Sequence, residues 1–251
     1  MSIFYLSKFN LRIMLYVYST IEHIIILGYN NSPEMRNVMK DYKKYIFDLD
    51  YTLLIPDWSM EDIFFKNIIP ISKQEEFFKQ KQDIINKYEA EFPKYDFDTL
   101  SAFFKSYGFH LSREVIDDWM IYNGINIKDQ VPDGVIDLLD YLKQNDKEVV
   151  VLTNWFSGTQ ISRLERAGLY NYVDKIVAGE NAMKPSLKAF ELAIGDTDKK
   201  DCIMIGDSLR CDKVGAENAG IDYYIVSNEH SIRKFLELIT IKEKIITKRN
   251  V

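Results

Sequence analysis

Two carboxyl groups with one residue between them lie where a short apolar run ends. Asp48 and Asp50 follow the run KYIF within the pattern DLDYT, which Thr52 completes. Both carboxyl groups can face a crevice beyond the end of a strand, and such a pair suits a nucleophile beside a proton donor. Acidic turns after strands are common, so in isolation the pattern is also typical of a solvated turn.

Further polar groups follow later segments of the same kind. They are Thr153 and Asn154 after KEVVVL, Lys184 in MKPSLKAF, and Asp207, Ser208 and Asp212 in GDSLRCD. Open α/β sheets place their ligand sites beyond the carboxyl ends of the strands, so these groups are candidates for one shared site. Most lysines are solvated, and Lys184 is singled out by its setting beside Pro185, which can open a helix.

The elements that must position these groups are five short apolar runs without alternation, as expected of buried parallel strands. They span residues 44–49, 147–152, 174–178, 202–205 and 223–226. Helical patterns lie between them, after Pro132, from a predicted cap at Ser157, and from Pro185. This alternation predicts an α/β fold, a Rossmann-like parallel sheet with helices on both faces.

Amphipathic stretches replace strand-like runs between Leu54 and Lys128. They cover residues 60–68, 73–90, 99–107 and 112–122, and prolines and Gly108 separate them. We predict an inserted helical cap domain, residues 55–128, in an α/β core of residues 43–54 and 129–251. Its aromatic residues have mostly helical spacing, so we expect them in the core of the cap.

The first 42 residues form an N-terminal extension of uncertain structure. Residues 11–28 are apolar, but Glu22 and His23 interrupt them, so a membrane span is not expected, and no signal peptide is evident. Three interpretations stay open: an extension packed on the domain, a disordered tail, or translated sequence before a start at Met35 or Met39. We expect this extension to carry no chemistry.

Composition excludes several classes of function. The 251 residues include 32 Lys and Arg against 38 Asp and Glu, a formal charge of −6, so no basic surface is expected for nucleic acid. The two cysteines form no CxxC pair, and the three histidines lack metal-ligand spacing, which argues against zinc and fits a reducing cytoplasm. Any phosphate must therefore be held by a local site or a metal.

DLDYTLL, VVVLTN, MKP and GDSLRCD, in this order, resemble the four motifs of the haloacid dehalogenase-like (HAD) hydrolase superfamily. The 105 residues from Asp48 to Thr153 are similar in length to the spacing in subgroup I, the phosphoglycolate phosphatase-like members with a helical cap. The resemblance covers residues 43–227. It implies a phosphatase rather than a dehalogenase, because the dehalogenase reaction proceeds without the acid at Asp50 and without Mg²⁺.

The resemblance implies a role for each motif. Asp48 is the expected nucleophile, which forms an aspartyl-phosphate, and Asp50 the general acid and then base. Mg²⁺ is the expected cofactor, held by the Asp48 carboxylate, the Asp50 backbone carbonyl and the Asp207 carboxylate. Thr153, Asn154 and Lys184 are expected to bind the phosphoryl group, Thr153 through its hydroxyl and backbone N–H groups, with supporting roles for Asp212, Ser208 and Thr52. Tyr51 departs from the small residues common at its position.

We therefore expect a Mg²⁺-dependent hydrolase of a small phosphomonoester, active in the cytoplasm as a monomer or homodimer. Residues 55–128 carry nine basic and thirteen acidic residues, so the cap offers no basic patch for a polyphosphate. Sugar phosphates, nucleoside monophosphates and phosphoglycolate stay open as substrates. A phosphomutase of the same fold and a non-catalytic binding protein are the alternatives.

Overall fold

The five predicted parallel strands are present and form one sheet. The computed structural model describes residues 40–228 and 230–249, so the expected extension lies almost wholly outside the described residues. Within the described ranges the strands are β1 (Lys44–Phe47), β2 (Ile55–Asp57), β3 (Lys128–Gln130), β4 (Glu148–Leu152), β5 (Lys175–Val177), β6 (Cys202–Gly206) and β7 (Asp222–Ile225). The parallel sheet has the order β5-β4-β1-β6-β7.

Helices precede and follow these strands as the alternation predicts. The described α-helices are α1 (Ser59–Ile68), α2 (Ile71–Glu91), α3 (Phe97–Ser106), α4 (Arg113–Asn126), α5 (Val135–Gln144), α6 (Ser157–Arg166), α7 (Leu187–Ile194), α8 (Val214–Ala219) and α9 (Ser231–Arg249). Across the described ranges, none of these helices is long and apolar enough to cross a membrane.

Both faces of the sheet are covered, which confirms the predicted α/β class. On one face, Ile46 of β1 shares an apolar cluster with Phe190 of α7 and Ala216 of α8. On the other face, the ring of Tyr45 meets that of Phe235 in α9 at 6.4 Å. All four residues of β1 are buried. A strand buried on both sides is apolar along most of its length, which is why these runs do not alternate. The exception in β1 is its first residue, Lys44, whose ammonium pairs with Glu148 at 3.1 Å.

The register of β1 brings the motif segments together. Phe47, the last residue of β1, lies opposite Val151 of β4 and Ile205 of β6. Because the three strands are parallel and in step, the residues that follow them emerge side by side at one edge of the sheet. Asp48, Thr153 and Asp207 each come one or two residues after this shared level.

A two-stranded ribbon joins the helical insertion to the sheet, where the sequence analysis found no strand. β2 and β3 pair antiparallel, with Pro56 opposite Asp129. The prediction was wrong at this point because IPD and KDQ are only three residues long and have no apolar periodicity. Their pairing depends on the return of the chain from the four helices α1–α4.

Two helix starts also differ from the predicted ones. Ser157 does not cap α6: Phe156 holds the cap position, while the Ser157 N–H and hydroxyl both bind the carboxylate of Glu180. Helix α7 begins at Leu187 rather than Pro185, because the Ser186 side chain accepts a hydrogen bond from the Ala189 N–H and caps it. In both cases a local acceptor that the pattern alone does not rank decides the boundary.

The inserted helices pack around an aromatic core, as their spacing predicts. Phe65 is fully buried, and its ring centroid lies 4.7 Å from that of Phe77 and 4.8 Å from that of Trp119. Trp58 is the exception: it lies at the start of α1 and lines the main cavity instead.

Phe65→Ala should destabilise the protein by about 3–5 kcal/mol, because it leaves a cavity among fixed rings. Equilibrium denaturation followed by tryptophan fluorescence measures this change. The matched control is Ile71→Ala, since Ile71 is 88% exposed and its truncation should cost less than about 0.5 kcal/mol. Equal effects of the two substitutions would contradict the assignment of Phe65 to the core.

Candidate active site

One buried ammonium group lies between two carboxylates at the edge of the sheet. Lys184 Nζ lies 2.7 Å from Asp48 Oδ1 and 2.7 Å from Asp212 Oδ1. Its side chain is only 2% exposed. Asp212 is fully buried, and its Oδ2 also accepts the backbone N–H of Ser208 at 2.9 Å. The structure thus brings three of the predicted site residues into direct contact.

Charge and burial shift the protonation equilibria here. Burial alone would lower the pKa of Lys184, but the Asp212 and Asp48 carboxylates outweigh it and raise that pKa. Burial and the neighbouring Asp212 raise the pKa of Asp48 well above its usual range, although Lys184 opposes this shift. Burial, and then Asp212, likewise raises the pKa of Asp207. One ammonium therefore does not balance three carboxyl groups.

The excess of carboxylates suits a hard cation. One oxygen from each of Asp48, Asp207 and Asp212 can be chosen so that all three lie within 4.8 Å of one another. Asp212 already binds Lys184 and Ser208, which leaves Asp48 and Asp207 with oxygens to offer. Mg²⁺ is commonly held by one or two carboxylates together with phosphate and water. The residues present fit the predicted metal.

The turn after β6 is built so that Asp212 can approach the strand. A Cβ on Gly206 would collide with the Asp212 carboxylate, so only glycine fits there. Ser208 caps the following π-helical turn, Leu209–Lys213, by accepting the Cys211 N–H at 3.0 Å. The structure therefore gives Ser208 a role in shaping the loop.

The Asp50 carboxylate accepts hydrogen bonds from helix α6. Its Oδ1 accepts a hydrogen bond from Arg163 Nη2 at 2.7 Å, and its Oδ2 lies 3.3 Å from Gln160 Nε2. The Asp50 side chain keeps 24% of its surface exposed and lines the cavity. Both oxygens are thus oriented by the protein while the group still reaches the space next to Asp48.

Thr153 and Asn154 use several of their polar groups within the protein. The Thr153 N–H donates to the Val177 carbonyl at 3.0 Å, so its hydroxyl, bonded to Gln160, is the group that can face a phosphate. The Asn154 amide accepts the Lys184 N–H at 2.6 Å and donates to the Lys184 carbonyl at 3.0 Å. Asn154 thereby fixes the backbone that carries Lys184, and it also lines the cavity, so its expected phosphate contact stays a prediction.

Two residues of the first motif lie away from the cavity. Thr52 is fully buried, and its hydroxyl has no hydrogen-bond partner among the described residues. Tyr51 adopts a positive φ of 59° and is half-exposed, and its hydroxyl accepts the Trp58 indole N–H at 3.1 Å. Tyr51 therefore contacts the start of the first cap helix rather than lining the cavity.

A cavity of about 350 Å³ extends from Asp48 towards the inserted helices. The sheet edge contributes Asp48, Asp50, Thr153, Asn154, Lys184, Ser208 and Cys211, and the remaining lining residues are Trp58, Glu61, Lys81, Gln82, Ile85, Glu89 and Trp155. Glu61 pairs with Lys81, and its other oxygen accepts hydrogen bonds from Trp119 at 2.9 Å and Asn123 at 2.7 Å. The cavity therefore joins the motif residues to a fixed polar group of the cap.

Sequence analysis missed Gln160, Arg163 and the Glu61–Lys81 pair. Gln160 and Arg163 lie on the same face of α6, three residues apart. Both are fully buried, although Gln and Arg are usually exposed. The available signal was their position in the helix that follows the second motif, but their partners, Asp50 and Asp129, are distant in sequence.

This fold and this arrangement of carboxylates and lysine define a hydrolase of known type. The family model for haloacid dehalogenase-like hydrolases matches residues 42–220. The chain belongs to this family, which confirms the resemblance seen in the four motifs.

Two curated relatives share sequence with the chain. Pyrimidine 5'-nucleotidase YjjG of Escherichia coli strain K12 is 38% identical over 93 residues, which are 35% of this chain and 41% of YjjG. The chain thus matches less than half the length of YjjG. Pyrimidine 5'-nucleotidase PynA of Streptococcus pneumoniae is 28% identical over 209 residues, 72% of this chain and 82% of PynA.

Two crystal structures show the same fold. The magnesium-bound YfnB of Bacillus subtilis superposes with a TM-score of 0.59 at 22% identity, over 80% of this chain and all of that one (100%). The HAD phosphatase of Thermococcus onnurineus gives a TM-score of 0.51 at 22% identity, over 77% of this chain and 97% of that one.

Mg²⁺ should raise the melting temperature, because binding to the folded state adds free energy of unfolding. At a Mg²⁺ concentration one hundred times its Kd, the added stability is about 2.7 kcal/mol. Without a cation, the raised pKa values of Asp48 and Asp207 destabilise the fold as the pH rises above about 4. Protons also compete with the cation for these carboxyls, so the Mg²⁺-induced shift should be larger at pH 7.5 than at pH 5.5. Thermal denaturation with Mg²⁺ or with chelator measures it.

Asp207→Asn should remove most of this Mg²⁺-induced shift, because it removes a carboxylate from the cluster. The control is Asp198→Asn, since the Asp198 side chain is 71% exposed and pairs only with the surface group of Lys200. An Asp207→Asn variant with the same Mg²⁺ response as wild type would show that the cation binds elsewhere.

Proposed function

We propose that the protein is a Mg²⁺-dependent phosphomonoester hydrolase that acts through an aspartyl-phosphate at Asp48. The observation that carries this proposal is the contact of Lys184 with both Asp48 and Asp212, in which Asp48 and Lys184 also line the cavity. Most surface salt bridges leave both groups in water, whereas this ammonium is buried beside a carboxylate that faces the cavity. Such an arrangement suits transfer of an anionic group to that carboxylate.

The chain's own residues account for both halves of the reaction. An oxygen of Asp48 attacks phosphorus, the phosphorus–oxygen ester bond breaks, and Asp50 gives its proton to the departing alkoxide. Water then attacks the phosphorus of the aspartyl-phosphate and transfers its proton to Asp50, and Asp48 is released as a carboxylate. Thr153 and Lys184 hold the phosphoryl oxygens during both steps.

The residues that would hold Mg²⁺ are Asp48, Asp207 and the backbone carbonyl of Asp50. When bound, the cation supplies positive charge that offsets the repulsion between the carboxylates and the phosphate dianion. Asp212 keeps Lys184 in place, and Asn154 fixes the backbone of the same lysine.

Asp48→Asn should abolish phosphate release, because an amide is not a nucleophile. The assay is a panel of phosphomonoesters with Mg²⁺ or with excess chelator, and wild type should act only with Mg²⁺. Residual activity of Asp48→Asn within about tenfold of wild type would exclude Asp48 as the nucleophile, because loss of the nucleophile should lower the rate by far more than tenfold. Asp198→Asn serves as the surface control.

The same panel separates the two alternatives. A phosphomutase would return the phosphoryl group to an organic acceptor and would respond to a hexose bisphosphate primer, whereas a hydrolase releases inorganic phosphate without one. A non-catalytic binding protein would release no phosphate from any ester. Retention of Asp50 and of every motif residue argues against the binding protein, whereas a phosphomutase would keep the same residues and is separated only by the assay.

For the substrate, we propose a nucleoside 5'-monophosphate. At the cap end of the cavity, every cation among the described lining residues already has an acidic partner, because Lys81 is bound by Glu61 and Asp62. A leaving group with a second phosphate or a carboxylate would therefore lie near Glu61 and Glu89 without a counter-charge. This disfavours phosphoglycolate and bisphosphates and favours a neutral leaving group.

The walls of the cavity suit a flat heterocycle. Trp58 and Trp155 both line it. The indole N–H of Trp155 is buried and has no hydrogen-bond partner among the described residues, so it can donate to a carbonyl oxygen such as those of a pyrimidine. The similarity to YjjG and PynA, which are pyrimidine 5'-nucleotidases, supports the same class of substrate.

Trp155→Phe should raise the KM for uridine 5'-monophosphate about threefold to tenfold, because the ring wall stays and one hydrogen bond is lost. p-Nitrophenyl phosphate has no pyrimidine carbonyl to accept this hydrogen bond, so its KM should stay within about twofold of the wild-type value. Steady-state kinetics on both esters tests this. A phosphoglycolate kcat/KM above that of uridine 5'-monophosphate in wild type would contradict the proposed substrate class.

A further inference from the structure

Arg163 occupies a place in the molecule that the reaction described above does not use. Its side chain is 0% exposed, and Nη2 lies 2.7 Å from Asp50 Oδ1 and 2.6 Å from Asp129 Oδ1. Its Nε donates to Asp129 Oδ2 at 3.1 Å, and Nη1 donates to Gln160 Oε1 at 2.8 Å. One guanidinium group therefore joins two acids that are far apart in the sequence.

The second of these acids belongs to the connection between core and cap. Asp129 lies in β3, the strand by which the chain returns from the inserted helices, and its side chain is 5% exposed. It faces Pro56 of β2, the strand by which the chain leaves the core. The contact between Arg163 and Asp129 thus fastens the ribbon to helix α6.

Other contacts fasten the same helix to the cap. The Thr159 hydroxyl donates to the Met120 carbonyl at 3.0 Å, and the Ser162 hydroxyl donates to the Gly124 carbonyl at 2.9 Å. The indole of Trp58, at the first cap helix, lies 5.5 Å from the Arg163 guanidinium carbon. Arg163 of helix α6 consequently contacts Asp50 of the first motif and Asp129 of the cap connection.

Arginine is suited to this task and lysine is not. The guanidinium is planar, stays charged, and offers five N–H donors in a fixed geometry, so it can orient two carboxylates at once. An ammonium on a flexible stem keeps the charge but not the geometry. Gln160 adds a second constraint, because its amide lies between Asp50, Thr153 and Arg163.

We propose that Arg163 is a positioning residue that orients the Asp50 carboxyl towards the leaving group and makes this orientation depend on Asp129 in the ribbon of the cap. The inference rests on the proposed function, since it assigns Asp50 the transfer of a proton to the leaving oxygen. Arg163 itself is fully buried and is not among the residues that line the cavity, so we do not expect it to touch the phosphate or the leaving group. Displacement of the ribbon would therefore disturb the acid while leaving Asp48 and Lys184 in place.

The test compares a leaving group that needs protonation with one that does not. Nitrophenolate departs without help from an acid, whereas the ribose oxygen of uridine 5'-monophosphate requires a proton. The ratio kcat/KM reports the steps up to the departure of the alcohol, so it excludes the later hydrolysis of the aspartyl-phosphate. Arg163→Lys should lower kcat/KM for uridine 5'-monophosphate at least about tenfold more than for p-nitrophenyl phosphate.

Asp129→Asn tests the link to the ribbon and leaves the Arg163–Asp50 contact available. It should show the same selective loss, at least about threefold greater for the nucleotide than for the aryl ester. Arg113→Lys is the matched control. Arg113 begins cap helix α4 and pairs on the surface with Asp98 at 2.6 Å, so its replacement should leave kcat/KM for both esters within about twofold.

The outcomes separate the claims. Equal losses on both esters in a folded Arg163→Lys variant, as judged by circular dichroism, would show a structural role and overturn the proposal. Selective loss in Arg163→Lys without it in Asp129→Asn would overturn the dependence on the ribbon. If Arg163→Lys does not fold, an equal loss of kcat/KM on both esters in Asp129→Asn overturns the proposal. Wild type that releases phosphate from neither ester would instead refute the proposed function, and the inference with it.

Discussion

The contact of the Lys184 ammonium with Asp48 and Asp212 is the interaction on which the rest of the structure depends. Parallel strands in register place the ends of β1, β4 and β6 side by side, and this crowds carboxyl groups into a buried space. Carboxylates buried together repel one another and resist ionisation. One buried ammonium relieves part of this repulsion, and the remaining excess of negative charge makes the site fit Mg²⁺. The charge of a bound cation would in turn offset the repulsion between these carboxylates and a phosphate.

The surroundings of this contact are arranged to preserve it. Gly206 leaves space for the Asp212 carboxylate, and the Asn154 amide clasps the backbone of Lys184 from both sides. Asp50 is held separately, by Arg163 from helix α6. The proposed nucleophile and the proposed acid therefore belong to one motif but are oriented by different parts of the chain. Under our proposal, this division allows the cap connection to act on Asp50 without disturbing Asp48.

Local patterns predicted the sheet and the motif residues because each strand and each motif consists of a few consecutive residues. A strand buried on both faces is mainly apolar, so the runs YIF of β1 and VVVL of β4 could be recognised without their partners. Contacts between distant segments were not predictable in this way. Arg163 reads as an ordinary exposed helical arginine until Asp50 and Asp129 are seen beside it, and β2 and β3 carry no pattern before they pair. The hydrogen bonds between the Asn154 amide and the backbone of Lys184 were not predicted either, because these residues are 30 positions apart in the sequence.

Phosphoryl transfer to Asp48 is the central claim, and mass spectrometry of the quenched reaction tests it most directly. Wild-type protein mixed with excess p-nitrophenyl phosphate and Mg²⁺ would be quenched in acid within the first turnovers, digested, and searched for added phosphoryl mass. The account predicts one phosphoryl group on the peptide that contains Asp48, and none in Asp48→Asn. Steady release of phosphate with no phosphorylated peptide at any time, or with the phosphoryl group on another residue, would contradict it.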